Sequence, residues 1–204
     1  AGSALLTDLD RAVRLTEAVI AAVNLPVSVK LRLGWEDTGA AAQLAGRLQD
    51  SGLNCLIVHP RTREDFYHGE PRWEHLEAVV AAAGCPVVAS GNLRTAQDLT
   101  TVRQLGASAG MIGRGAVGAP WIFASLSGKA EPGLEQKHAI ILEHLRLVCE
   151  LYGEAGGVRF FRKFLTHYVS NLRGAHSFRQ RMNATETLAG LEDLLDQLFA
   201  CQEI

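Results

Sequence analysis

The run Gly110-Met111-Ile112-Gly113-Arg114-Gly115-Ala116-Val117-Gly118-Ala119-Pro120-Trp121 closes a short apolar stretch with glycines that flank one arginine. Glycine lets a backbone approach a ligand closely, and successive free N–H groups cradle an anion. Arginine adds a forked, permanently charged donor suited to phosphate. Gly-Arg-Gly alone is a common turn; its meaning here comes from what precedes it. It ends the last of four strand-like runs that alternate with helix-like runs. In barrels built of such alternation, a phosphate site often lies in the loops after the final strands.

Working back from that run, Val27 to Leu33, Asn54 to His59, Pro86 to Gly91 and Ala109 to Ile112 read as strands. They are short, apolar and rich in β-branched residues, as parallel strands covered on both faces should be. Helical patterns fall between them over Asp8 to Val23, Ala40 to Gln49, Trp73 to Ala83 and Thr95 to Leu105. The last opens on Thr95-Ala96-Gln97-Asp98, a capping-box pattern. Strands alternating with helices imply a parallel sheet. Working forward, Ser127-Gly128-Lys129-Ala130-Glu131-Pro132-Gly133 reads as a linker, and only helical patterns follow. These span Leu134 to Tyr152, Gly157 to Leu172 and Asn183 to Phe199, with Asn183 and Glu186 spaced for a cap. The expected organisation is therefore an α/β region over 1–127, a linker over 128–133 and an all-α bundle over 134–204. Four βα units do not close an eight-stranded barrel; they fit half of one, or a small open sheet.

Composition bounds the function. The chain of 204 residues has 48% hydrophobic and 21% charged residues, an ordinary globular mixture. Its formal net charge of −2 carries no global nucleic-acid signal, so any basic surface must be local. Cys55, Cys85, Cys149 and Cys201 are far apart and lack metal-ligand spacing. They read as buried free thiols of a reducing cytoplasm, and no metal is expected. No apolar run approaches the ~20 residues of a membrane helix.

Polar residues cluster where the strands end. The first strand carries Lys30 and Arg32, the second ends His59-Pro60-Arg61-Thr62-Arg63, the third Ser90-Gly91-Asn92 and the fourth Gly113-Arg114. Each has an ordinary explanation: a snorkelling lysine, a core histidine, a plain turn. Together, four successive strands place polar groups at one C-terminal face, where such folds keep their sites.

This ordered set resembles the tRNA-dihydrouridine synthase family. The matching pieces are Gly2-Ser3-Ala4-Leu5-Leu6, Val29-Lys30-Leu31-Arg32-Leu33-Gly34-Trp35, Val58-His59-Pro60-Arg61-Thr62-Arg63, Val88-Ala89-Ser90-Gly91-Asn92 and Met111-Ile112-Gly113-Arg114-Gly115. The tail Arg162-Lys163-Phe164-Leu165 through Tyr168, then Arg173-Gly174-Ala175, extends the resemblance over essentially the whole chain. The resemblance implies the C-terminal half of an FMN-binding TIM barrel followed by a helical domain that grips tRNA. It implies a cytoplasmic enzyme, monomeric at full length. FMN, reduced by NADPH, would reduce a flipped-out uridine to dihydrouridine while a cysteine donates the proton. Carried over residue by residue, Lys30, His59, Ser90, Gly91, Asn92, Gly113 and Arg114 would contact FMN.

The chain departs from the family pattern in three places. Ser90-Gly91-Asn92 stands for Asn-Gly-Asp. Pro60 follows His59 and removes an N–H. The family's catalytic Cys-Pro pair would lie upstream of residue 1, and no cysteine of this chain matches it. The expectation is therefore a fragment, inactive alone, with no catalytic residue of its own.

The tail has a separate signal. From Ala155 to Thr185 there is no acidic residue, while Arg159, Arg162, Lys163, Arg173, Arg179 and Arg181 fall there, interleaved with aromatics. A solvated helix with an aromatic stripe would look like this, and so would a surface selected by phosphate backbones. With the resemblance, these six are the expected tRNA contacts. Two competing readings are a tRNA-binding module without chemistry and a different phosphate-binding barrel enzyme acting on a small metabolite.

Overall fold

The computed structural model describes residues 2–202. Strands β1 (Ser28–Arg32), β2 (Cys55–His59), β3 (Val87–Ser90) and β4 (Ala109–Met111) form one parallel sheet in the order β1-β2-β3-β4. Helices α1 (Leu9–Ala22), α2 (Ala40–Arg47), α3 (Leu76–Ala82) and α4 (Ala96–Gln104) precede or connect the strands. Chain order thus equals spatial order, as consecutive βα units require.

Side-chain alternation gives the sheet two unlike faces. Leu31, Leu56, Val58, Val87 and Ala89 point one way and are buried with Leu44 of α2, Leu76 and Val79 of α3 and Val102 of α4. Lys30, Arg32, Ile57, His59, Val88 and Ser90 occupy the alternate positions. The apolar face is what holds the helices, so the polar groups at the strand ends are left for the other face. Helix α4 starts as its sequence predicts: the Thr95 side chain accepts from the Asp98 backbone and the Asp98 carboxylate accepts from the Thr95 backbone.

Contacts divide the chain into two compact units, Ala1–Arg114 and Gly115–Ile204. In the second, α5 (Ile122–Leu126), α6 (Leu134–Tyr152), α7 (Glu154–Tyr168), α8 (Ala175–Ala184) and α9 (Leu188–Ala200) follow one another, and residues 129–133 have no regular structure. Its core joins Ile141 and Leu145 of α6, Phe161 and Leu165 of α7, Phe178 and Met182 of α8, and Leu191 and Leu195 of α9.

Two helical expectations need correction. Helix α7 begins at Glu154, not Gly157, because Gly153 at φ +73° breaks the chain away from α6 and starts the next helix at once. Gly156 and Gly157 sit inside α7; a Cβ on Gly157 would lie 2.5 Å from the Cys149 Cα, so close helix packing requires its absence. The expected helix over 183–199 is two helices. Thr185 and Thr187 are both extended, and the Thr187 hydroxyl accepts from the Gly190 N–H to open α9. Asn183 lies inside α8 rather than at a cap.

Candidate functional site

The site lies at the C-terminal end of the sheet in the first unit. Strand register sets Arg32 of β1 opposite His59 of β2, so a cation and an imidazole sit side by side on adjacent strands. The chain after His59 turns sharply, with the Arg61 N–H donating to the His59 carbonyl at 2.7 Å. That turn returns the Arg61 side chain to its neighbour: Nη1 lies 3.0 Å from His59 Nε2. Pro60, which has no N–H to donate here, still accepts at its carbonyl from the Arg72 N–H.

Arg61 is 1% exposed, the largest fully buried side chain among the described residues. Its Nε donates to the His68 carbonyl at 3.3 Å and its Nη2 to the Gly69 carbonyl at 2.6 Å. Arg32 holds the same loop, its Nη1 donating to the Thr62 and Phe66 carbonyls, both at 2.6 Å. Two guanidinium groups thus pin the loop over 62–69 through four carbonyls. Asp65 braces it from within. Burial pushes its carboxyl up, but the Thr62 N–H and hydroxyl and the Arg72 guanidinium outweigh burial and hold it below the usual range.

The loop delivers Tyr67 to the site mouth. Its ring is 60% exposed, with Arg114 Cζ 4.5 Å and Arg32 Cζ 5.2 Å from its centroid. Glu70 lies at the far end of the loop and accepts from Asn92 Nδ2 at 3.1 Å. Asn92, itself at φ +49°, also faces Arg114 Nη2 at 3.4 Å through Oδ1. Gly91 lies beneath His59: a Cβ there would stand 3.0 Å from the ring, and its φ of +120° suits glycine alone. A Cβ on Gly113 would meet nothing within 4 Å, so the backbone beside Arg114 is bare.

Electrostatics follow from this crowding. His59 is 8% exposed. Burial first, then the charges of Arg32, Lys30, Arg61 and Arg114, push its pKa down to about 4. The imidazole is neutral at physiological pH, and the cations around it leave a positive field that Glu70 and Asp65 temper at Arg61. Burial also raises the thiols of Cys55, Cys85 and Cys149, which therefore keep their protons. Among the described residues no cluster of histidine, cysteine and carboxylate could hold a metal.

The structure brings His59, Asn92 and Arg114 together and sets Gly91 against the His59 ring. Ser90 ends β3 at 9% exposure. Lys30 stands two residues before Arg32 on the same face and acts on His59 through its charge. Arg32, Arg61, Tyr67 and Glu70 belong to this constellation too. In the sequence Arg61 is only one of several arginines, and because the chain turns at the end of β2 instead of running on as a strand, its spacing from His59 does not reveal its place.

In the second unit, Arg159, Lys163, Arg173 and Arg181 are exposed, and Arg162 and Arg179 are half-buried. Lys163 Nζ rests 3.5 Å from the Phe160 ring centroid. Arg162 Nη2 donates to the Thr185 carbonyl at 2.8 Å, and Arg181 Nη2 to Gln197. Arg173 donates to the Cys201 carbonyl, while Arg159 and Arg179 bond back to their own helices.

Comparison with known proteins gives this arrangement a context. A probable tRNA-dihydrouridine synthase of Rhizobium leguminosarum bv. phaseoli is 41% identical over 176 residues, covering 85% of this chain and 56% of that protein. One of Rhodobacter capsulatus is 41% identical over 199 residues, covering 93% and 61%. The tRNA-dihydrouridine synthase B of Pseudomonas aeruginosa is 38% identical over 209 residues, covering 98% and 63%. The chain thus spans about three fifths of the length of these relatives. The family described as dihydrouridine synthase matches residues 1–203, which takes in both the His59 cluster and the helical unit, and the chain belongs to that family.

Proposed function

We propose that this chain forms part of a tRNA-dihydrouridine synthase, an enzyme that reduces uridine in tRNA to 5,6-dihydrouridine with FMN as cofactor and NADPH as its reductant. The observation that supports this most strongly is the cluster of cations around a neutral histidine at the C-terminal end of a parallel sheet, in a chain of this family. The residues present fit FMN. Arg114 and the bare backbone at Gly113 suit a phosphate group. Gly91 packs against one side of the His59 ring, where a side chain would collide with it. When bound, FMN would supply the hydride for the C5–C6 bond of uracil, with a separate acid supplying the proton that completes the reduction.

The chain's own groups bind and orient. Lys30, Arg32, Arg61 and Arg114 favour anionic groups at the mouth, and Tyr67 offers an exposed ring held by two arginines. The half-barrel architecture, the helical unit as tRNA grip and the cytoplasm as workplace all accord with this reading. Of the six basic residues expected to face RNA, the exposed Arg159, Lys163, Arg173 and Arg181 supply the RNA-facing charge, contacting backbone phosphate more than base edges, whereas Arg162 is half-buried and committed to the Thr185 carbonyl and Arg179 is half-buried.

FMN titration tests the proposal. Arg114→Ala is expected to weaken FMN binding by ~1.5–3 kcal/mol, the range for a hydrogen bond to a charged group. Equal affinity in wild type and variant removes Arg114 from the phosphate site.

A further inference from the structure

We propose that Arg61 is a positioning residue that locks His59 in the neutral tautomer protonated on Nδ1, so that His59 offers its ligand a hydrogen-bond donor and never an acceptor. The inference rests on the flavin-site reading for the identity of the ligand, but the lock itself is a property of the chain.

The argument is one of donors and acceptors. A guanidinium carries five N–H groups and no acceptor, and it does not lose its proton in proteins. Arg61 Nη1 is 3.0 Å from His59 Nε2. A contact between two donors there would leave two buried N–H groups facing each other. Nε2 must therefore accept, and the ring proton must sit on Nδ1. Arg61 has no freedom to turn away, because its Nε and Nη2 donate to the His68 and Gly69 carbonyls and its side chain is 1% exposed. The Gly91 backbone closes one side of the ring. Among the described residues Nδ1 makes no hydrogen bond, which leaves it for a ligand.

The charged groups facing His59 point the same way. Arg32 and Lys30 come from β1, Arg61 from the chain after β2 and Arg114 from the chain after β4, and burial adds to their effect. Two acids act on Arg61: Glu70, bonded to Asn92, and Asp65, which is paired with Arg72. A ring so placed does not shuttle protons near neutrality. It suits a carbonyl oxygen or an unprotonated ring nitrogen of a heterocycle.

Two-bond 1H–15N spectra of the chain labelled at histidine, with His59→Asn to assign the ring, read the tautomer directly. In wild type the expected state is Nδ1–H from pH 5 to pH 8. Arg61→Lys keeps one cationic donor and is expected to keep that tautomer. Arg61→Met removes the donor, and the ring should pass largely to the Nε2–H form while its titration midpoint rises only modestly above about 4, since burial, Arg32, Lys30 and Arg114 still hold it down. FMN affinity should fall about tenfold in Arg61→Met and about threefold or less in Arg61→Lys. Wild-type His59 protonated on Nε2, or on both nitrogens at neutral pH, overturns the inference whether or not the variants fold. So does a folded Arg61→Met that retains the Nδ1–H form. If the tautomer is as stated but FMN does not bind, the flavin-site reading fails and the lock stands.

Discussion

Arg61 and Lys163 are both cations, and the two units keep them in opposite ways. Arg61 is buried and fully engaged, with an imidazole and two loop carbonyls on its three nitrogens. Lys163 is exposed and lies over the faces of Phe160 and Phe164, with no acidic partner among the described residues. The first arrangement fixes one geometry, as recognition of one small ligand needs. The second offers charge without a fixed partner, as a long polyanion needs. The contrast predicts different responses: removing a cation from the first unit changes the shape and protonation of a site, whereas removing one from the second changes only a field.

The largest expected effect lies in neither set of cations and serves as the control. Phe161 is fully buried in the helical core, edge-on to His144. Phe161→Ala should destabilise the second unit by ~3–5 kcal/mol, the range for truncating a buried aromatic residue. Denaturant unfolding followed by helix signal measures this. The His59 spectrum should stay unchanged under native conditions. A shifted His59 signal would mean that the units share one packing state, and the contrast between them would lose its basis.

The next effect sharpens the first half of the contrast. Unfolded His59 takes up a proton near pH 6.5, and the folded ring does so only near pH 4. Between those values the unfolded state binds more protons, so stability falls as pH drops through that window, by no more than ~3 kcal/mol. Below about 4 both states are protonated and the contribution is gone. Unfolding free energies from pH 8 to pH 3.5, compared with those of His59→Asn, isolate the effect. Parallel curves for the two proteins would show that the ring is not held neutral.

Much of this is legible in the sequence, and the parts that are not share a cause. The four strands and their parallel order follow from short β-branched runs alternating with helical ones, and the Thr95–Asp98 box marks its helix start to the residue. Residues at strand ends, such as His59 and Ser90, can be placed because strand period fixes where they point, whereas Arg114 lies beyond β4 in a short 3-10 turn. Arg61, Tyr67 and Glu70 cannot, since they reach the site through a loop whose path depends on carbonyl contacts made by Arg32 and Arg61 themselves. The break between α8 and α9 is hidden for a related reason. Thr185-Glu186-Thr187 continues a helical pattern, and only the Thr187–Gly190 bond and the Arg162–Thr185 bond show that the chain is extended there.

That last bond divides the basic residues of the second unit, and the smallest expected effect follows from the division. Arg159 and Lys163 project from α7 with no acidic partner among the described residues, whereas Arg162 on the same helix ties α7 to the end of α8. Arg159→Ala with Lys163→Ala should change stability by less than ~0.5 kcal/mol, as exposed substitutions do. It should flatten the slope of log tRNA affinity against log salt by about one to two units, since each phosphate left unneutralised keeps its counterions. Arg162→Ala should do the reverse, costing ~1 kcal/mol of stability through the missing hydrogen bond while leaving the slope in place. Salt titrations of tRNA binding to wild type and both variants measure this. Coincident slopes for wild type and the double variant would mean that the exposed cations touch no phosphate. The second unit would then keep its charge for solubility, and RNA recognition would have to be sought on other surfaces of the chain.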